Sequence, residues 1–85
     1  MARFEVVVRK SVAKDLRRIP DKDVRRILER IASLAEDPRP PGSEKLSAQE
    51  RYRVRQGVYR ILYEIKDDQL IVTVVKIGHR REVYR

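Results

Sequence analysis

The segment Arg51–Arg60, in which basic and apolar side chains alternate as far as Arg55, constrains the fold more than any other feature of the chain. The ten residues contain four arginines and no acidic residue. Successive side chains of a β-strand point to opposite faces, so Tyr52 and Val54 would share one face while Arg53 and Arg55 share the other. The sequence therefore predicts a sheet that is buried on one face and lined with arginine on the other.

Two further strand-like runs follow this segment, so the C-terminal half predicts three antiparallel strands, at 51–56, 58–66 and 69–77. The last run is apolar on both faces, as expected of a central strand. The turns between the strands are expected at Gln56-Gly57 and Asp67-Asp68.

These turns set the register of the strands. A turn centred on Gln56-Gly57 places Arg53 opposite Arg60, and a two-residue turn at Asp67-Asp68 places Arg60 opposite Val75. Both registers keep the apolar side chains on one face. Arginines directly opposite each other repel, and this cost indicates a site for an external anion.

The N-terminal half predicts one strand and two helices. Residues 2–9 form the strand beside 69–77, with one apolar face made by Phe4, Val6 and Val8. We expect Ser11 to cap the first helix, Pro20 to end it and Asp21 to cap the second helix. The second helix carries an apolar stripe of Val24, Ile27, Leu28, Ile31 and Leu34. The predicted fold class is α+β with the order β-α-α-β-β-β, a helical hairpin packed on one face of a four-stranded, mostly antiparallel sheet.

Size and composition bound the function. A chain of 85 residues suits a single domain spanning 1–85. It contains no cysteine and one histidine, His79, so thiolate and multi-histidine metal sites are excluded and no cofactor is expected. No apolar run approaches the ~18 residues of a membrane span, so we expect a soluble cytoplasmic protein. The net charge of +8 suits nucleic acid or an acidic protein partner.

Three segments resemble the RelE branch of the RelE/ParE toxin superfamily. They are Tyr52–Arg55, Tyr59–Tyr63 and the C-terminal run Val74–Tyr84 with its Gly-His-Arg-Arg-Glu-Val-Tyr ending. The resemblance implies a toxin of a bacterial or archaeal toxin–antitoxin pair, with a fold like that of small microbial ribonucleases. It also implies cleavage of mRNA in the ribosomal A site without a metal ion, and silencing by a RelB-like antitoxin.

The resemblance further implies a set of site residues, carried over by matched position. They are Arg53, Arg55, Arg60, Tyr84 and either Arg80 or Arg81, of which we favour Arg80. The first two positions are often lysine in this family, so their replacement by arginine leaves the proton-transfer roles open.

The chemistry of metal-free RNA cleavage defines what these residues would do. The ribose 2′-OH attacks its own 3′-phosphate, and fixed guanidinium groups stabilise the charge that develops. Arginine is a poor base because its pKa exceeds ~12. The base or acid must therefore be another group. The candidates are Tyr84, which could instead pack or stack on a base, and His79, which could instead be an exposed turn residue. Glu82 could also act as a base, although a surface ion pair with Arg80 is favoured for it.

Other functions are compatible with the same pattern. One is a ParE-like toxin that inhibits gyrase without nuclease activity. Another is a basic nucleic-acid-binding module with no catalysis, and a third is a decayed toxin that binds only its antitoxin. Arginines on the helices would form a solvated face or contact rRNA.

Overall fold

A computed structural model of the chain describes residues 3–46 and 50–79. Within these ranges the elements follow in the order β1 (Glu5–Val8), α1 (Lys10–Arg17), α2 (Asp21–Ser33), β2 (Glu44–Lys45), β3 (Arg51–Gln56), β4 (Tyr59–Lys66) and β5 (Ile71–His79). The predicted α+β class and order are confirmed, with β2 as an addition. None of the described helices is long and apolar enough to cross a membrane.

The strands of the described residues form one sheet in the order β1-β5-β4-β3-β2. β1 lies beside β5, as predicted, and runs parallel to it, whereas the other neighbouring strands are antiparallel. The prediction of four strands is wrong by one, because Glu44 and Lys45 pair with β3. A two-residue strand inside a proline-rich loop shows no alternation that a sequence could reveal.

The helices cover one face of the sheet, where α1 lies against β5 and α2 against β3. The core on this side contains Val12, Ile27, Ile31 and Leu34 from the helical segment and Val54, Ile61, Tyr63, Ile65, Val72, Val74 and Ile77 from the strands. Leu28 is 45% exposed, although the predicted stripe includes it. It lies about 100° around the helix from Ile27, at the edge of the stripe. Val8 is also exposed, and it ends the edge strand β1.

The helix starts differ from the predicted caps. α1 begins at Lys10 after Arg9, which makes no side-chain capping hydrogen bond, so Ser11 lies inside the helix and is not its N-cap. α2 begins at Asp21 itself after Pro20. Carboxylates in the first turn of α2 interact favourably with the positive end of the helix dipole.

Both predicted registers are wrong by a small shift. The β3–β4 turn consists of Gly57 and Val58, so Arg60 lies opposite Arg55 and Arg53 lies opposite Leu62. Gly57 has φ +61°, which a turn with glycine at its first central position requires. The connection between β4 and β5 spans residues 67–70 and is longer than the predicted two-residue turn.

A β-bulge interrupts the pairing of β4 with β5 between Leu62 and Tyr63. Val74 pairs with Tyr63 and Lys76 pairs with Leu62, so Val75 is the extra residue. The bulge places Ile77 in the core and sets Gly78, not Val75, opposite Arg60.

Candidate functional site

The face of the sheet opposite the helices carries the arginines of β3 and β4. Tyr52 and Val54 are buried in the helix-covered core, so the alternate residues of β3 point to the other side. The same alternation on β4 places Arg60 there, between the core residue Ile61 and Tyr59. We call this surface the arginine face, formed by Arg51, Arg53, Arg55 and Arg60. The structure thus brings the three predicted strand arginines to a single face.

Arg55 and Arg60 are direct cross-strand neighbours at one end of this face. Residues opposite each other on antiparallel strands have Cα atoms about 5 Å apart. Arg60 is only 5% exposed, whereas Arg55 is exposed, and with Gly57 and Tyr59 they line a cavity of about 90 Å³. Like charges at opposite positions of a sheet repel, and an anion bound between them would relieve the repulsion.

The other neighbour of Arg60 in the register is Gly78 on β5. Glycine has no side chain, so β5 contributes only backbone at this position, which is itself buried. The neighbour of Arg60 on this strand therefore adds no side chain to the arginine face.

Two carboxylates that the sequence pattern did not predict also lie on the arginine face. Glu44 on β2 is opposite Arg53, and its Oε2 accepts a hydrogen bond from Arg53 at 2.5 Å. Glu64 on β4 is opposite Arg51 and contacts it at 3.1 Å, and it also contacts Arg9 at 3.6 Å. The alternation of β4 could have revealed Glu64, whereas no sequence pattern marks Glu44.

His79 lies on the other side of the sheet. Its ring meets the ring of Tyr59 edge to face, with 6.1 Å between the ring centroids. Together with Asp15, Arg18 and Ile77 it lines a cavity of about 260 Å³ on the helix side. Tyr59 and Arg60 are consecutive residues of β4 and point to opposite faces, so the structure does not place His79 among the arginines.

The remaining site residues from the sequence analysis, Arg80, Arg81 and Tyr84, lie outside the described residues. The last described residue, His79, pairs with Tyr59 of β4. The roles of Arg80, Arg81 and Tyr84 stay predictions.

The arrangement can hold a phosphodiester. Guanidinium groups keep their charge at any accessible pH and match phosphate oxygens with paired N–H donors. Arg55 and Arg60 occupy opposite positions on neighbouring strands, and Arg53 lies on the same strand as Arg55, about 7 Å along it. Charge of this kind stabilises a phosphorane-like transition state, but it does not move protons.

Known proteins share this sequence pattern over almost the entire chain. A family model described as "ParE toxin of type II toxin-antitoxin system, parDE" matches residues 6–84. The putative toxin RelE1 of Methanocaldococcus jannaschii is 31% identical over 87 residues, which cover 98% of this chain and 97% of that protein. Toxin RelG of Mycobacterium tuberculosis is 27% identical over 77 residues and 88% of each chain.

Solved structures share the fold. The RelE–RelB complex from Pyrococcus horikoshii aligns with a TM-score of 0.84 and 28% identity, over 96% of this chain and 99% of that one. The isolated RelE toxin of E. coli aligns with a TM-score of 0.76 and 22% identity, over 98% and 92% of the two chains, which is a likeness of fold. The family model and the archaeal relative both span nearly the whole chain. The chain therefore belongs to the RelE/ParE superfamily and is a toxin of a type II toxin–antitoxin system.

Proposed function

We propose that this toxin is an endoribonuclease that cleaves mRNA in the A site of the ribosome. The observation that carries the proposal is the cross-strand pair of Arg55 and Arg60, with Arg53 on the same face. Support also comes from the relatives, whose names are RelE1 and RelG. The toxin would act in the cytoplasm, where it meets translating ribosomes.

Each group has a distinct part in the proposed reaction. The 2′-OH attacks the adjacent phosphorus, and the products are a 2′,3′-cyclic phosphate and a 5′-OH. Arg55 and Arg60 hold the scissile phosphate and stabilise its added negative charge, and Arg53 binds the same or the next phosphate. Proton transfer is assigned to Tyr84, because His79 lies on the helix side of the sheet, and Arg80 would add a further positive charge.

A cognate antitoxin of the RelB kind is the proposed inhibitor. Similar toxins have been solved as complexes, among them the RelE–RelB complex of Pyrococcus horikoshii and RelBE2 of Mycobacterium tuberculosis. Occlusion of the arginine face would exclude mRNA.

Substitution of Arg60 by glutamine tests the nuclease proposal. The variant should keep the fold, since glutamine fills part of the buried space, and lose the charge that stabilises the transition state. Loss of one fixed donor typically lowers the rate roughly 10²–10³-fold. The measurement is cleavage of mRNA on purified ribosomes programmed with a defined A-site codon, together with growth arrest on expression.

Arg3→Gln is the matched control, because the side chain of Arg3 is highly exposed and contacts Glu36 across the surface at 3.7 Å. This variant has the same change of charge and should cleave like the wild type. Full activity of the Arg60→Gln variant, or no cleavage by the wild type, would contradict the proposal.

Gyrase inhibition is the second candidate function, and the description of the matching family model as a ParE toxin favours it. It predicts that purified toxin blocks supercoiling by gyrase and leaves ribosome-bound mRNA intact. The two assays run side by side on one preparation separate the candidates.

A further inference from the structure

Glu44 lies on the arginine face because of β2, an element with no signal in the sequence. In the register of β2 with β3, Glu44 is directly opposite Arg53, and Lys45 is opposite Tyr52 on the core side. The side chain of Arg53 is 11% exposed, while that of Glu44 is 57% exposed. The guanidinium group is thus fixed in the surface, and the carboxylate lies over it at the edge of the sheet.

The ion pair of Glu44 differs from the other one on this face. Glu64 is held from two sides, by Arg51 through Oε2 and by Arg9 through Oε1, and its side chain is 25% exposed. Glu44 contacts Arg53 through a single oxygen, Oε2, and belongs to a strand of two residues. The contact of Glu44 is therefore the easier one to open.

A carboxylate is planar and a phosphate is tetrahedral, but both are oxyanions that accept paired N–H bonds from a guanidinium group. The two groups therefore compete for the same donors. Arg53 is one of the arginines assigned to the RNA backbone. An RNA phosphate can use the Arg53 donor that Glu44 occupies only if it displaces this carboxylate.

We propose that Glu44 is a specificity-determining residue that competes with RNA phosphate for Arg53 and so weakens the binding of free RNA. An mRNA held on the ribosome by other contacts displaces Glu44, whereas free RNA in solution does so poorly. The inference rests on the proposed function, in which the arginine face binds RNA.

The experiment compares Glu44→Gln with Glu64→Gln. Each variant removes one negative charge from the same face, and glutamine keeps an oxygen that accepts a hydrogen bond from arginine. The probe is a fluorescent single-stranded RNA oligonucleotide with 2′-O-methyl groups, which cannot be cleaved by 2′-OH attack. Binding is measured by anisotropy in the absence of ribosomes, and circular dichroism verifies the fold of each variant.

We expect Glu44→Gln to tighten binding roughly tenfold, which is the size expected for the loss of a charged hydrogen-bonding competitor. Glu64→Gln should have a clearly smaller effect. In a variant that already carries Arg53→Gln, adding Glu44→Gln should change the affinity for free RNA no more than adding Glu64→Gln does. Cleavage of ribosome-bound mRNA should change less than the binding of free RNA.

Equal tightening of RNA binding by the two variants would overturn the inference. It would mean that the loss of any negative charge on the arginine face has this effect, whether or not the carboxylate contacts Arg53. Unchanged or weaker binding by Glu44→Gln would overturn it as well. Failure of the wild type to cleave on ribosomes would overturn the nuclease proposal instead, and the binding comparison would still report on Glu44.

Discussion

Tyr63 is fully buried, and its hydroxyl group donates a hydrogen bond of 2.8 Å to the carbonyl oxygen of Pro38. Its ring stacks on Tyr52 of the neighbouring strand, with 5.9 Å between the centroids. Burial raises the pKa of Tyr63 to about 12. This single side chain therefore ties the start of the proline-rich loop to the centre of the sheet.

Tyr63→Phe should lower the free energy of unfolding at neutral pH by roughly 1–2 kcal/mol, because the buried carbonyl of Pro38 loses its donor. The wild type should lose stability as the pH rises from the ordinary tyrosine pKa of about 10 towards 12, since the unfolded state ionises first and the folded state holds its proton. The phenylalanine variant should lack this loss.

Urea denaturation at a series of pH values between neutral and alkaline measures both effects. Tyr59→Phe is the control, because its ring is only half-buried. If the free energy of unfolding changed with pH in the same way in the wild type and in Tyr63→Phe, the Tyr63 hydroxyl group would have the same pKa in the folded and the unfolded state.

At the scale of elements, the loop between α2 and β2 is fastened to the sheet by Arg39. Its guanidinium group donates to both carboxylate oxygens of Asp67, at 3.0 and 2.8 Å, and to the hydroxyl group of Tyr52 at 3.1 Å. It also lies over the Tyr52 ring, 5.1 Å from the centroid. One side chain thus joins this loop, the β4–β5 connection and β3.

Arg39→Ala should destabilise the protein more than Asp67→Asn. In addition to the ion pair, the alanine variant loses the hydrogen bond to the Tyr52 hydroxyl group and the cation–π contact, which is worth roughly 0.5–1 kcal/mol. The asparagine variant loses only a solvent-exposed pair, so its effect should vanish at about 1 M salt, where screening is strong. Urea denaturation at low and high salt measures both variants, and equal losses at high salt would exclude a contribution from the Tyr52 ring.

The errors of register show how far alternation can determine a sheet. Shifting β3 by two residues against β4 leaves Val54 and Tyr52 on the apolar face, so the hydrophobic pattern fixes the face but not the partner. The turn decides between the alternatives, and Gly57 at the first position of the turn, not the second, selects the observed pairing. The arginine face was therefore predicted from sequence, while the identity of the pair, Arg55 with Arg60, was not.

The carboxylates of the site were missed for a related reason. Glu44 reaches Arg53 only because two residues after the proline-rich loop join the edge of the sheet. Backbone pairing of this length leaves no period in the sequence, and the loop composition argues against a strand. Long-range contacts of short elements are set by the whole fold.

At the scale of the whole molecule, the net charge of +8 should make RNA binding strongly dependent on salt. Each contact with a phosphate of single-stranded RNA adds about 0.7 to the slope of log K against log salt concentration. Arg55→Gln should therefore reduce this slope by about 0.7, because the exposed Arg55 belongs to the arginine pair.

Titrations of the same non-cleavable RNA at several salt concentrations give the slope. The exposed Arg3 provides the comparison, since Arg3→Gln changes the net charge equally but lies away from the arginine face. A slope that falls equally in both variants would indicate that total charge, and not the arginine pair, governs binding.

The extra residue Val75 bends β5 without deciding which face its end presents. If Val75 were deleted, Lys76 would follow Val74 directly and still pair with Leu62, so Ile77 would stay in the core and Gly78 would stay opposite Arg60. The deletion would remove the local bend and the packing of Val75 on Leu62, but not the register at Arg60. Evolution should accordingly tolerate the loss of this one residue without dispersing the arginine pair.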